Sequence, residues 1–319
     1  GEPLLAYDKV AYAAKLLQEK NKQEKKNLKF TVTTNGTLLT KEMMDFFNRH
    51  KIGLLLSFDG LTQDKGRKKG TLEQMIHIVK QSRDYPGIDL EINSVFSPYT
   101  VNELSESMRF LIELEGPEIT YNISTTDEWS EAELETLKSE LDRLCTYLLS
   151  YYKEKGKIPV RNLRFSGQKE KAGENEEKSK KKKGSIFHCS AGRNRMAVTP
   201  EGKLYGCWLF HDYFKNNPDS PQLRDFCFGP VGEFIAGFDT LYPEILPHYA
   251  DLHQDLFQVE EDFCFLCEEL EGCVVCPANA AISSGSLGKI SRRHCRLGKI
   301  QRHTEAEFRR KVSELKIKK

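Results

Sequence analysis

The sequence is short of three things. No apolar run approaches the ~18–20 residues needed to span a bilayer, which argues against a helical membrane protein. There is almost no charge imbalance: 48 basic against 47 acidic side chains leave a formal +1. That removes the main electrostatic argument for a nucleic-acid or acidic-membrane partner. The first 188 residues hold a single cysteine, Cys145. The opening Gly1-Glu2-Pro3-Leu4-Leu5 lacks the basic-then-apolar layout of an export signal, and nine cysteines is an odd count, so a disulfide framework is not expected. A collagen, a coiled coil and a disulfide miniprotein are excluded as well. A soluble, cytoplasmic protein remains, and 319 residues are enough for two domains at ~150 residues each.

The first half alternates between two periodicities. Leu5, Val10, Ala13, Ala14, Leu16 and Leu17 predict an amphipathic helix from about residue 4 to 26. Leu28 to Thr34 reads as a β-branched strand closed by the turn pair Asn35-Gly36. Thr40 caps a helix, Ile52 to Phe58 is a second strand ending at Asp59-Gly60, and Leu72 to Asp84 is helical. Leu90 to Phe96 is a third strand, Val101 to Leu114 a helix, and Ile119 to Ile123 a fourth strand. Leu134, Leu137, Leu141, Leu144 and Leu148 then mark a longer helix, with Cys145 as a packed thiol on its apolar face. Strands alternating with helices of this length mean parallel βα units, whose chemistry sits at the C-terminal strand ends. The polar clusters Thr33-Thr34-Asn35-Gly36, Ser57-Phe58-Asp59-Gly60 and Asn93-Ser94 fall there. Periodicity alone leaves a partial barrel and an open sheet both standing.

Between Gly167 and Gly184 the composition collapses to Gln, Lys, Glu, Gly, Asn and Ser, with Lys180 to Lys183 in a run. Such a segment cannot bury enough apolar surface to offset the entropy of ordering it, so a solvated linker is expected over 166–184 rather than a basic docking patch. The expected organisation is therefore 1–165, the linker, a second domain at 185–302 and a charged C-terminal helix at 303–319.

Beyond the linker the cysteines crowd together. Cys264-Phe265-Leu266-Cys267 is followed by Cys273 and Cys276-Pro277, with Cys295 after a further gap and Cys189 and Cys207 upstream. Two residues between thiolates let both face one metal from a tight turn. Glycines at 202, 206 and 272 let the backbone bend close to such a centre. The number of thiols exceeds what one tetrahedral zinc needs and fits two sites, as zinc or as 4Fe-4S clusters; spacing leaves the metal open. Cys227 is a possible additional ligand. The aromatics Trp208, Phe210, Tyr213 and Phe214 either line a peptide channel or form core.

This arrangement, with Gly202-x4-Cys207 and Cys264-x2-Cys267-x5-Cys273-x2-Cys276 at its centre, resembles the SPASM domain that follows the catalytic barrel in many radical S-adenosylmethionine (SAM) enzymes. Gly1-Glu2-Pro3 looks like the end of that family's Gly-Gly-Glu-Pro motif, and Thr34-Asn35-Gly36 and Ser57-Phe58-Asp59-Gly60 look like its next strand-end motifs. The resemblance implies an α/β fold, a partial (β/α)6 barrel followed by a small irregular α+β domain. It places S-adenosyl-L-methionine against Gly1, Glu2, Asn35, Ser57, Asp59 and Arg67. An outer auxiliary 4Fe-4S cluster would sit on Cys264, Cys267, Cys273 and Cys295, and an inner one on Cys189, Cys207 and Cys276. It also implies an electron donor such as a flavodoxin or ferredoxin, and a peptide or protein substrate, expected to contain cysteine, modified through a 5′-deoxyadenosyl radical. The family's Cys-x3-Cys-x2-Cys loop, which binds a third cluster, does not occur in the sequence. The chain therefore reads as an N-terminally truncated piece, inactive by itself in the radical step. Cys273-x2-Cys276 also departs from the usual three-residue spacing. Trp208 stands where the formylglycine-generating, sulfatase-maturing branch places an aspartate, and Asp212 lies five positions beyond Cys207, which favours a peptide maturase forming a thioether or carbon–carbon crosslink. A non-catalytic metal-binding or electron-transfer module is the expectation from a different class.

Overall fold

The computed structural model describes residues 1–164, 190–252, 257–260, 262–270, 273 and 275–317; the expected linker 166–184 and Cys189 lie outside the described residues. The chain divides into two compact units. One comprises Gly1–Ser124, Glu131–Glu170 and Thr304–Lys319, the other Thr125–Ser130 and Lys171–His303.

The first unit is built on four parallel strands in the order β1 (Thr31–Thr34), β2 (Gly53–Ser57), β3 (Leu90–Phe96) and β4 (Glu118–Ile123). A single parallel bridge from Ile119 to Val160 extends the β4 edge. The helices of this unit are α1 (Tyr7–Gln23), α2 (Lys41–His50), a one-turn α3 (Gln63–Gly66), α4 (Leu72–Gln81), α5 (Leu104–Glu113) and α6 (Glu131–Lys155). Local chemistry sets both ends of α2. The Thr40 hydroxyl accepts from the Met43 N–H to start α2, and Lys51 ends it in the left-handed region at φ 52°.

The sheet's two faces differ sharply. Register places Leu54, Leu56, Leu90, Ile92, Phe96, Ile119, Tyr121 and Ile123 on one face, all buried. Met44, Phe47, Met75, Val79, Leu104, Met108 and Leu111 from the helices are buried too, and each such side chain contributes roughly 1.5–3 kcal/mol. The opposite face carries Thr31, Thr33, Leu55, Ser57, Glu91, Asn93, Glu118, Thr120 and Asn122, half-buried or exposed. β3 accordingly alternates buried and half-buried along its whole length. A sheet covered by helices on both sides would read as a continuous apolar run instead. In α6 the expected leucines are buried with Cys145, whose thiol is pushed up to about 12 by burial. The expected apolar face of α1 is incomplete, since Leu16 and Leu17 stay exposed.

The second unit has little regular structure. β5 (Ala197–Val198), β6 (Lys203–Tyr205) and β7 (Cys227–Pro230) form an antiparallel sheet, and β8 (Gln258–Val259), β9 (Asp262–Phe263) and β10 (Lys289–Ile290) a second. Helices α7 (Trp208–Asn216), α8 (Leu223–Phe226), α9 (Val231–Ala236), α10 (Phe238–Ala250) and α11 (Pro277–Ser284) pack around them. The final helix, α12, runs over Arg292–Ile317, so its start lies upstream of the tail helix expected from residue 303. Aromatic side chains fill this unit's core. Tyr249 stacks on Phe228 with centroids 5.6 Å apart and meets Phe210 and Phe226 edge-on at 4.9 and 5.1 Å. Phe210, Tyr213 and Phe214 belong to this core, while Trp208 is 56% exposed.

Candidate functional site

At the C-terminal ends of the parallel strands the structure brings the chain's opening residues to the end of β1. The Glu2 carboxylate accepts from Leu4 N (3.1 Å), Thr34 Oγ1 (2.7 Å) and Asn35 N (2.8 Å). Two motifs more than thirty positions apart therefore meet through one carboxylate. The Asn35 side-chain oxygen accepts from both the Thr37 N–H and its hydroxyl, which fixes the turn beyond β1. Ser57 closes β2 in register with Asn93, which in turn pairs with Thr120 on the polar face. Asn93 Oδ1 accepts from the Asn122 amide at 2.6 Å, so these polar residues form a connected row.

Asp59 and Arg67 form a single unit. The buried Asp59 carboxylate accepts from Arg67 Nε (2.7 Å) and Nη2 (2.9 Å), and Oδ1 also accepts from Val95 N at 2.8 Å. A carboxylate engaged by three protein donors orients its arginine and ties the loop after β2 to the end of β3. Gly1 lies exposed beside Glu2.

Four charged residues at the opposite end of the polar face were not expected. Arg161 pairs with Glu91 at 3.0 Å and reaches Glu118 at 3.6 Å, and Arg164 pairs with Glu118. Burial raises the Glu91 carboxyl, and Glu118 and Asp89 add to that, while Arg161 opposes it. Their signal in the sequence was the alternation Leu90-Glu-Ile-Asn-Ser-Val-Phe96, which puts an acid on the polar face. The arginines lie about seventy residues further on and carry no local pattern.

In the second unit the thiols converge from several short turns. The Cys267 N–H donates to Cys264 O, Leu270 N–H to Cys267 O and Cys273 N–H to Leu270 O, each at 3.0 Å, so successive turns present successive cysteines. Cys295 joins from the first turn of α12. Cys264, Cys273 and Cys295 pack around a small core of Phe257, Val275, Ala280 and Ile290. Burial pushes the Cys264 thiol up to about 11, and Cys295, Cys273 and Cys267 raise it further as neighbouring negative charges. Cys273 and Cys295 are raised chiefly by burial, and both feel Cys267 and the opposing Lys299. Neighbouring thiols disfavour ionisation of Cys264, Cys273 and Cys295, and with Cys267 these form a donor set that a cation would complete.

A second thiol group borders the aromatic core. Cys207 is buried as the N-cap of α7, Cys276 is the N-cap of α11, and these two helices pack together. Cys227 opens β7 opposite Tyr205. The motif glycines have separate reasons: Gly202 adopts φ 77°, and a Cβ on Gly206 would lie 2.6 Å from the Tyr249 ring and from Gly192 N. All eight described cysteines are free thiols, and among the described residues no group of three or more Cys, His, Asp or Glu side chains is arranged to hold a metal ion.

The radical SAM superfamily profile matches residues 1–111. The match covers the first unit's strands β1 to β3 and helices α1 to α5 up to Leu111. Among solved structures, native anSMEcpe with bound AdoMet is similar at a TM-score of 0.65 and 15% identity, covering 98% of this chain and 82% of that one. Native anSMEcpe with bound AdoMet and Kp18Cys peptide gives 0.64 and 15%, covering 98% and 83%. Streptococcus suis SuiB bound to precursor peptide SuiA gives 0.57 and 17%, covering 92% of this chain and 63% of that one. No curated protein matches the chain in sequence. At these identities the similarity establishes the fold: a radical SAM-type α/β unit with a four-stranded parallel sheet, accompanied by an irregular α+β region. Among the described residues no helix is long and apolar enough to cross a membrane.

Proposed function

We propose that the protein is a radical SAM/SPASM maturase acting on a peptide or protein substrate, forming a thioether or carbon–carbon crosslink. The observation that carries this reading is the gathering of four thiols, Cys264, Cys267, Cys273 and Cys295, in a chain whose residues 1–111 match the radical SAM superfamily profile. Peptide complexes among the structures of similar fold support a peptide substrate. When bound, S-adenosyl-L-methionine and the iron–sulfur clusters supply hydrogen abstraction and a sink for the surplus electron. The chain's own residues bind and orient. Glu2, held by Thr34 and Asn35, accepts from the cofactor's ammonium group, and Ser57, Asn35 and Arg67 meet its ribose or carboxylate. Asp59 holds Arg67 in place for that contact. The four outer thiols carry one auxiliary cluster, and Cys207 and Cys276, with Cys189, carry the other. A flavodoxin or ferredoxin delivers electrons.

Anaerobic reconstitution with iron and sulfide tests the cluster part. About eight irons per chain are expected for two four-iron clusters, and about two zincs without iron would overturn it. The reaction is tested by anaerobic co-expression of the complete gene with a neighbouring short, Cys-containing reading frame. A peptide that loses two hydrogens and one free thiol indicates a thioether, and loss of two hydrogens with the thiol retained a carbon–carbon bond. Conversion of a cysteine to an aldehyde points instead to formylglycine formation. An unmodified peptide beside intact clusters favours the electron-transfer module.

A further inference from the structure

The outer thiols come from two segments, the turns that carry Cys264, Cys267 and Cys273 and the start of α12, which carries Cys295. Three features bring these segments together. First, Glu269 stands between Cys267 and Cys273, where Leu270 N–H donates to Cys267 O and Cys273 N–H to Leu270 O. Its carboxylate meets Lys299 Nζ at 3.2 Å, His303 Nε2 at 2.8 Å and the Arg302 guanidinium, all from α12. Second, Cys295, Lys299, Arg302 and His303 occupy positions i, i+4, i+7 and i+8 of that helix, so they form one stripe along it. Third, a Cβ on Gly298 would lie 3.2 Å from Val275 Cγ2, two residues past Cys273. Glycine inside a helix is ordinarily unfavourable, and here it lets the cysteine-bearing segment come close.

The positive charges around Cys295 are unequally matched. Arg292 pairs with Glu260 at 2.8 Å and lies 3.8 Å from Asp262, two acids of the β8–β9 hairpin. Lys299 instead shares the single Glu269 carboxylate with Arg302, so positive charge is left over beside the thiols. Of that pair Lys299 is the nearer to Cys295. It follows by one helical turn, with Cβ atoms about 5–6 Å apart, whereas Arg302 is two turns on. Burial raises Cys273 and Cys295 most, and Lys299 lowers both.

Building on the cluster reading above, we infer that Lys299 is a charge-compensating residue of the outer thiol site and that Glu269 positions it there. A four-iron cluster on four thiolates is an anion, and reduction adds to its negative charge. A cation fixed one turn from a ligating sulfur favours the reduced state over the oxidised one and so raises the potential. Glu269 brings a negative charge of its own, which Arg302 offsets, and its grip keeps the Lys299 ammonium group from swinging into solvent.

The test is the midpoint potential of each cluster in the reconstituted chain, read by electron paramagnetic resonance during a redox titration. Lys299→Met should lower the potential of one cluster and leave the other where it was, and Lys299→Arg should restore it. Lys299→Gln, expected to behave as Lys299→Met, covers a methionine variant that fails to load. Lys311→Met, about three turns further along α12, should keep both parent values. In a Glu269→Gln background, removing the Lys299 charge should shift the potential less than in the parent, because the ammonium group is no longer held. Unchanged potentials in Lys299→Met and Lys299→Gln, or an equal fall in Lys299→Arg or Lys311→Met, would overturn the inference. An equal or larger shift in the Glu269→Gln background would overturn the positioning role. A parent chain that takes up no iron would instead remove the cluster reading itself.

Discussion

The two units solve the problem of a stable interior differently. The first relies on periodicity: four parallel strands bury one complete face under helices, and its single cysteine, Cys145, is one packed side chain among many. The second has strands of two to four residues, a core dominated by aromatic rings, and short turns whose best-defined feature is the placing of thiols. Regular elements satisfy their own backbone and need only a partner surface. A region of short turns must find its order elsewhere, in ring stacking and, on our reading, in metal–sulfur bonds.

The sharpest way to break this contrast is to remove the metal. Chelation, or Cys264→Ala with Cys295→Ala, should abolish the cooperative unfolding transition of the second unit and leave that of the first in place, as followed by calorimetry. A single unchanged transition in the stripped protein would mean that both units hold together by packing alone. The next effect belongs to the first unit. Asp59→Ala removes the acceptor for Arg67 and Val95 N, and should cost about 3 kcal/mol in urea denaturation, with Asp59→Asn recovering part of it. In the second unit, Tyr249→Phe leaves Gly206 N and Phe226 O without their buried partner and should cost about 2 kcal/mol in the loaded protein.

Alkaline pH probes both units through their thiols. Burial raises Cys145 from 9.0 to about 12, so the stability it contributes is complete below pH 9.0 and is lost as pH rises through about 12. Cys145→Ala should flatten that decline in the first unit, and a decline of unchanged slope would count against a buried neutral thiol. The smallest effect is expected at Arg310, whose pairs with Glu307 and Glu314 lie on an exposed face of α12. Arg310→Ala should leave the unfolding midpoint where it was.

The four strands were legible in the sequence because each is a β-branched or apolar stretch closed by a turn. The leucine spacing of α6 was equally plain. The family resemblance implies Cys264, Cys267, Cys273 and Cys295 as a group, and in the structure the other three thiols raise Cys264. What escaped was whatever depends on partners far along the chain. The pairing of Asp59 with Arg67, eight positions on, carries no periodic signal either. Arg161 reaches Glu91 across seventy positions, which no local period encodes. Trp208, Phe210, Tyr213 and Phe214 were left open between core and channel, because a run of aromatics does not say which ring turns outward.

The ion-paired quartet on the sheet has a directional consequence. Glu91, Glu118, Arg161 and Arg164 neutralise one another where β3 and β4 begin, and so floor the wet side of the sheet. The uncharged Ser57, Asn93 and Asn122 stand toward the other rim, near the grip of Glu2 on Asn35. On this face the strand starts thus carry paired charge, while the residues nearer the strand ends offer neutral hydrogen-bonding groups.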